Sequence, residues 1–126
     1  MKKVTLLLGP LLFIATSVVF AGAAAAAFRW VETEHNFGQI TQGKPVTTEF
    51  KFTNKGEAPL IISKAYGSCG CTGVEYPKEP IMPGASGAVK ATFNAANIGF
   101  FNKTVTVESN AYGGLMTLTI HGEVHK

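Results

Sequence analysis

Between positions 46 and 54 the chain reads VTTEFKFTN, in which Val46, Thr48, Phe50 and Phe52 alternate with Thr47, Glu49, Lys51 and Thr53. A period of two sends successive side chains to opposite faces of an extended strand, so this stretch fits a sheet with one buried face and one wet face. From Phe28 onward no apolar stripe at helical spacing competes with it. β-Branched and aromatic residues recur instead in short runs separated by Gly, Pro and Asn, an all-β pattern.

The same alternation places further strands. Residues 33–40 (TEHNFGQI) read as a first strand, closed by a turn at Gly43 and Pro45. Residues 60–66 follow the NKGE turn that begins at Asn54. Val89, Ala91 and Phe93 share a face within residues 86–94, as do Phe101, Val105 and Val107 within residues 100–109. Met116, Leu118, Ile120 and Val124 point inward along residues 116–124. About seven short strands at this spacing predict a seven-stranded immunoglobulin-like β-sandwich with Greek-key connections.

The N-terminus has a different character. Lys2 and Lys3 precede an apolar run over residues 4–20, and residues 21–27 are almost entirely Ala. A basic start, an apolar core and small residues for a peptidase are the marks of a secretory signal peptide. Residues 4–27 are also long enough to span a bilayer. Pro10 within the run and the Ala-rich end favour cleavage over retention, which leaves no stable membrane span. The reading is a signal peptide at 1–27, with several acceptable bonds between Ala23 and Ala27, and one domain at 28–126. A lipoprotein signal needs a Cys just after the apolar run, and none precedes Cys69. The expected location is periplasmic or extracellular.

Charge and composition exclude some classes of function. The 11 Lys and Arg against 8 Asp and Glu give +3, but Lys2 and Lys3 leave with the signal, so the domain is nearly neutral. The remaining Lys residues are scattered singly, whereas a surface that tracks nucleic acid needs them clustered. The chain has no Asp and no Gly-x-Ser-x-Gly elbow, so no segment offers nucleophile, base and orienting acid together. The reading is that it is not an enzyme and needs no cofactor. His35, His121 and His125 fit solvent-facing positions. The Asn102-Lys103-Thr104 sequon sits inside an expected strand of a bacterial-type export product and is read as coincidence. Phe28, Trp30 and Tyr112 could supply a core or an exposed aromatic patch.

The order HNFGQI, FKFTNKGEAPLII, SCGCT, IMPG, ATFNAANIGFFNKTVTVESN and LTIHGEV closely resembles the bacterial exported family called domain of unknown function 1573. The resemblance covers nearly the whole domain. That family is similar in turn to Hydin-type and pilus-chaperone-like immunoglobulin domains, which implies a sandwich serving as a binding or scaffolding module. The positions it carries over are Cys69, Gly70, Cys71 and Thr72. No activity comes with it.

Cys69 and Cys71 are the only two cysteines and a single Gly separates them. In an oxidising compartment such a pair can close a structural disulfide across Gly70, whose small ring stiffens a loop more than it stabilises a fold. It can also act as a dithiol cycled in service, although redox pairs usually have C-x-x-C spacing at a helix N-terminus. Two thiolates can bind Cu(I), with Met82 or a nearby His as a third donor, so the metal reading stays open. The expected function is a non-enzymatic binding or assembly module of the bacterial cell envelope, engaging an envelope protein by strand addition. The alternative is a thiol-redox or Cu(I)-handling protein centred on the Cys-Gly-Cys loop.

Overall fold

The computed structural model describes residues 24–126. Most of the expected export segment, residues 1–23, therefore lies outside the described residues. The rest is built of strands: β1 (Phe28–Trp30), β2 (Glu34–Thr41), β3 (Val46–Asn54), β4 (Ile62–Gly67), β5 (Thr72–Glu75), β6 (Ser86–Phe93), β7 (Gly99–Ser109) and β8 (Leu115–His125). They form two four-stranded sheets in the orders β1-β3-β6-β5 and β2-β8-β7-β4.

The inward parity of each strand supplies the core. Phe50, Phe52, Val89, Ala91 and Phe93 come from the first sheet, and Ile40, Ile62, Phe101, Val105, Val107, Leu118, Ile120 and Val124 from the second. Phe93 stacks on Phe101 across the gap with ring centroids 4.0 Å apart, tying the sheets together beside the Cys-Gly-Cys loop. The all-β sandwich expected from alternation is the observed architecture.

The strand count is eight rather than seven, for a specific reason. The leading edge is split: β1 pairs antiparallel with β3, whereas β2 pairs parallel with β8, so the chain changes sheet between Trp30 and Glu34. The three residues of β1 are too few to show a period. Trp30 and Phe28 stack on each other at 4.7 Å and meet Phe52 edge-on, so both are used in packing, whereas Tyr112 is fully exposed in the β7–β8 turn. Four-residue β5 is equally short and follows the Cys-Gly-Cys loop directly.

Register gives the sandwich two distinct ends. β6 starts with Ser86 opposite Thr53 and finishes with Phe93 opposite both Val46 and Thr72. The N-terminal end gathers residues 24–27, the β3–β4 loop, the Met82 turn and the β7–β8 turn. The opposite end, about seven strand residues or roughly 23 Å away, gathers the Cys-Gly-Cys loop, the β2–β3 turn and residues 94–98.

Buried Asn54, at 0% exposure, organises the N-terminal end. Its Oδ1 accepts from the N–H groups of Ala27 at 3.3 Å and Gly56 at 2.9 Å, and its Nδ2 donates to the carbonyls of Ala58 at 2.8 Å and Ile81 at 2.9 Å. Every hydrogen-bonding position of this amide is used, which is what permits a polar group in a core.

Candidate functional site

The β4–β5 loop carries the pair singled out by the sequence. Cys69 and Cys71 are joined as a disulfide with Cα atoms 5.2 Å apart, and there are no free cysteines among the described residues. The loop is pinned on both flanks. Ser68 N donates to Thr104 O at 2.8 Å and Ser68 Oγ accepts from Thr104 N at 3.2 Å, while Asn94 N donates to Cys71 O at 3.0 Å. A bent return to β5 is made by Thr72 N donating to Cys69 O at 3.3 Å. The buried Thr72 hydroxyl lies 3.8 Å from Cys69 Sγ and 3.9 Å from Cys71 Sγ. Since bridged sulfurs carry no proton, Thr72 is the donor there.

Two glycines of the loop behave differently. At Gly67 a Cβ would stand 2.8 Å from Thr72 Cβ and from Thr72 O, so the turn back of the chain requires a residue without a side chain. Gly70, at the tip, has no such requirement. Its φ is not in the left-handed region and a Cβ there would meet nothing within 4 Å. The bridge across Gly70 therefore does not depend on glycine's freedom; the exposed tip has open space for a side chain, while Cys69 and Cys71 on either side are half-buried. Gly67 was missed in the sequence, although a Gly two residues before a Cys-x-Cys was its visible signal.

The surroundings on one side are mixed, with Phe93, Ile98 and Phe100 beside Asn94, Asn97 and Lys103. Cys71, Ile98, Phe100 and Lys103 line a small cavity of about 120 Å³, and Phe100 is 86% exposed. Phe100 was recognisable as outward-facing, because it shares parity with Asn102 and Thr104 rather than with the inward Phe101 and Val105. A larger groove of about 530 Å³ runs beside it across the outer face of β2, β8 and β7, lined by Glu34, Asn36, Gln39, Asn102, His121 and Glu123. His121 Nε2 meets Glu34 Oε1 at 2.9 Å within it.

The donors that could have completed a copper site are not assembled there. Met82 belongs to the turn that precedes β6, at the other end of the sandwich, where Ala85 N donates to its carbonyl. His35 and His121 are engaged with Glu32 and Glu34, and His125 Nδ1 with Lys126 O. No group of three or more His, Cys, Asp or Glu suited to a metal occurs among the described residues.

The strands at the margins of the sheets are the other candidate surface. β1 and β5 end one sheet with three and four residues, and β4 and β2 end the other with six and eight. β4 is partly covered, since Tyr76 Oη donates to Ser63 O and Thr72 sits against Gly67. β2 is the longest of the four. Thr33 O, just before it, accepts from Thr119 N, and Gln42 N, just after it, donates to His125 O. In a parallel ladder this register turns the backbone groups of Glu34, Asn36, Gln39 and Thr41 toward the open side. A bulge at Gly38 (φ 68°), stabilised by Gly38 N donating to Asn36 Oδ1 at 2.8 Å, divides that edge in two.

Two four-stranded sheets of this order, with the chain passing from one to the other between β1 and β2, define an immunoglobulin-like β-sandwich. Within that class the chain belongs to the family described as protein of unknown function DUF1573, which matches residues 28–124. No curated protein matches the sequence. Among solved structures the chain is similar to a protein of unknown function from Porphyromonas gingivalis W83 (TM-score 0.70, 14% identity), covering 86% of this chain and 51% of that one. It is also similar to PapD-like domain 7 of human CEP192 (TM-score 0.64, 10% identity), covering 81% of this chain and 87% of that domain. The YadV chaperone aligns with a TM-score of 0.55 and 12% identity over 79% of this chain and 52% of its own. The chain thus spans about half the length of the P. gingivalis protein. At these identities the likeness establishes the fold alone.

Proposed function

We propose that this domain is an exported, non-enzymatic binding module of the bacterial cell envelope that receives an extended segment of a partner protein along the open edge of β2. The observation that carries the reading is the eight-residue β2, paired with β8 on one side only. An open edge offers backbone donors and acceptors in register, and strand addition satisfies them. The groove beside β2, with exposed Phe100 at its rim, offers side-chain contacts that backbone pairing alone cannot discriminate. The likeness to a PapD-like domain and to a chaperone supports protein binding as the role. Export is supported by Lys2, Lys3 and the apolar and Ala-rich stretches that follow. Among the described residues no helix is long and apolar enough to cross a membrane.

The test is site-specific photo-crosslinking in intact cells, with the photoreactive residue at Glu34 or Gln39 on β2 and, for comparison, at Glu49 in the middle of the other sheet. The expected result is one discrete adduct from the β2 positions, lost on Gln39→Pro, which removes an outward N–H. Equal labelling from Glu49, or an adduct that survives Gln39→Pro in a chain that melts normally, would refute edge pairing.

A second reading is favoured by Gly70, which is exposed and adds no side chain beside the half-buried disulfide, without any conformational need for glycine. In it a partner dithiol exchanges with the loop. One partner thiolate attacks a loop sulfur, the Cys69–Cys71 bond breaks and a mixed disulfide forms. The second partner thiol resolves it, leaving both loop cysteines reduced and the partner oxidised by two electrons. Cu(I) capture would follow only from that reduced state. Gly70→Phe should slow reduction of the bridge by dithiothreitol at least several-fold without unfolding the domain, and an unchanged rate would remove the access argument.

A further inference from the structure

Residues 25–27 pack as part of the folded domain. Ala26 is 2% exposed and belongs to the core. Glu57 N donates to Ala25 O and Lys55 N to Ala27 O, each at 2.9 Å, while Ala27 N donates to Asn54 Oδ1 at 3.3 Å. These bonds continue the antiparallel register in which Phe28 faces Asn54, so the β1–β3 pairing runs on past its first named residue. An independent feature points the same way. A Cβ at Gly56 would run into Ala25 O and lie 2.7 Å from Ala26 Cα and Ala27 N, although Gly56 does not have a positive φ. The turn after β3 has no room for a side chain because the Ala segment lies on it.

We infer that export processing cuts the chain at the Ala23–Ala24 bond, so that residues 25–27 stay with the mature domain as its first paired segment. The inference rests on the export reading above. Several bonds in this Ala-rich stretch satisfy a small-residue rule, and the packing discriminates among them. Cutting after Ala25 would remove the carbonyl that accepts from Glu57 N and put a new ammonium on core residue Ala26. A cut after Ala27 would remove the Ala26 methyl group and leave Lys55 N, Glu57 N and Asn54 Oδ1 each short of a bond. Of the bonds that precede Ala25, the one after Ala23 has Ala at both the first and third positions before the cut, Ala23 and Ala21. Water adds across that amide, leaving a carboxylate on Ala23 and an ammonium on exposed Ala24.

The test is expression of the full chain with its own leader in a bacterial host, followed by intact mass and N-terminal sequencing of the periplasmic product. A chain beginning at Ala24 is expected. One beginning at Ala26, Ala27 or Phe28 would overturn the inference while leaving export standing, and one beginning at Gly22 or Ala25 would overturn the choice of bond. Retention of Met1 would instead defeat the export reading. As a separate check on the packing, chains made to begin at Ala24 and at Phe28 are compared by thermal melting. A lower melting temperature is expected for the shorter one, and equal melting would overturn the structural role of residues 25–27.

Discussion

Replacing Asn54 by Ala should cost more stability than any comparable polar substitution on the surface. The side chain makes four hydrogen bonds to main-chain groups of three separate segments, and it is fully buried. At a net contribution of about 1 kcal/mol per bond the starting figure is about 4 kcal/mol. Two circumstances reduce it. Ile81 O keeps its bond from Leu60 N at 2.8 Å, and water can reach the partly exposed Ala27 and Gly56 sides of the gap. The expected loss is then about 3 kcal/mol, a large share of the 5–15 kcal/mol that hold a typical domain together.

For a domain of about 100 residues each kcal/mol moves the melting temperature by roughly 4–8 °C, so the shift should be about 12–24 °C downward. Trp30 is the only Trp and packs on Phe28 and Phe52 near this end, which makes its fluorescence the natural signal for urea titration. Asn97→Ala, on an exposed loop position, serves as the control and should stay within about 0.5 kcal/mol. A loss below 1 kcal/mol for Asn54→Ala would show that the satisfied amide is not what closes the N-terminal end. Because Ala27 N is one of its partners, Asn54→Ala and removal of residues 24–27 should also be less than additive.

Gly67→Ala should destabilise by about 1–3 kcal/mol, because its Cβ would press on Thr72 Cβ and O, whereas Gly70→Ala should be neutral within about 0.5 kcal/mol. Parallel urea titrations compare them, and equal effects would refute the distinction drawn between the two glycines. Converting Cys69 and Cys71 to Ser together should cost about 1.5 kcal/mol by loop entropy and leave a cooperative transition, and a domain that no longer folds would make the bridge a structural necessity. Phe100→Ser should leave stability within about 0.5 kcal/mol, since the ring is almost wholly solvated, yet weaken β2-edge crosslinking, and undiminished adduct yield would remove the groove from the docking surface.

The parts of the fold that could be read from sequence are those where one face is dry. β3, β6, β7 and β8 each alternate over eight or more residues, and their inward sets became the core because a slip of one residue would have turned every apolar group to water. β1 and β5 were not legible, since three or four residues cannot display a period and their strand state is fixed by partners, β3 and β6, that are distant in sequence. The same cause hid the role of residues 25–27. Small apolar residues suit a peptidase site and a tight packing position equally well, and only the turn at Gly56 tells them apart.

At the candidate site the chemistry was legible and the access was not. Cys-Gly-Cys announces a bridge by residue type, but whether Gly70 bends the chain or merely adds no side chain at the loop tip depends on φ and on what surrounds an absent Cβ. The answer separates two kinds of glycine within four residues of each other. Gly67 is needed for the close turn against Thr72, and its replacement should be felt as lost stability. Gly70 is needed for nothing in the fold, so a cost of replacing it must appear in what reaches the disulfide, and a several-fold change in its reduction rate without a change in melting temperature is the signature that would move the loop from structure to function.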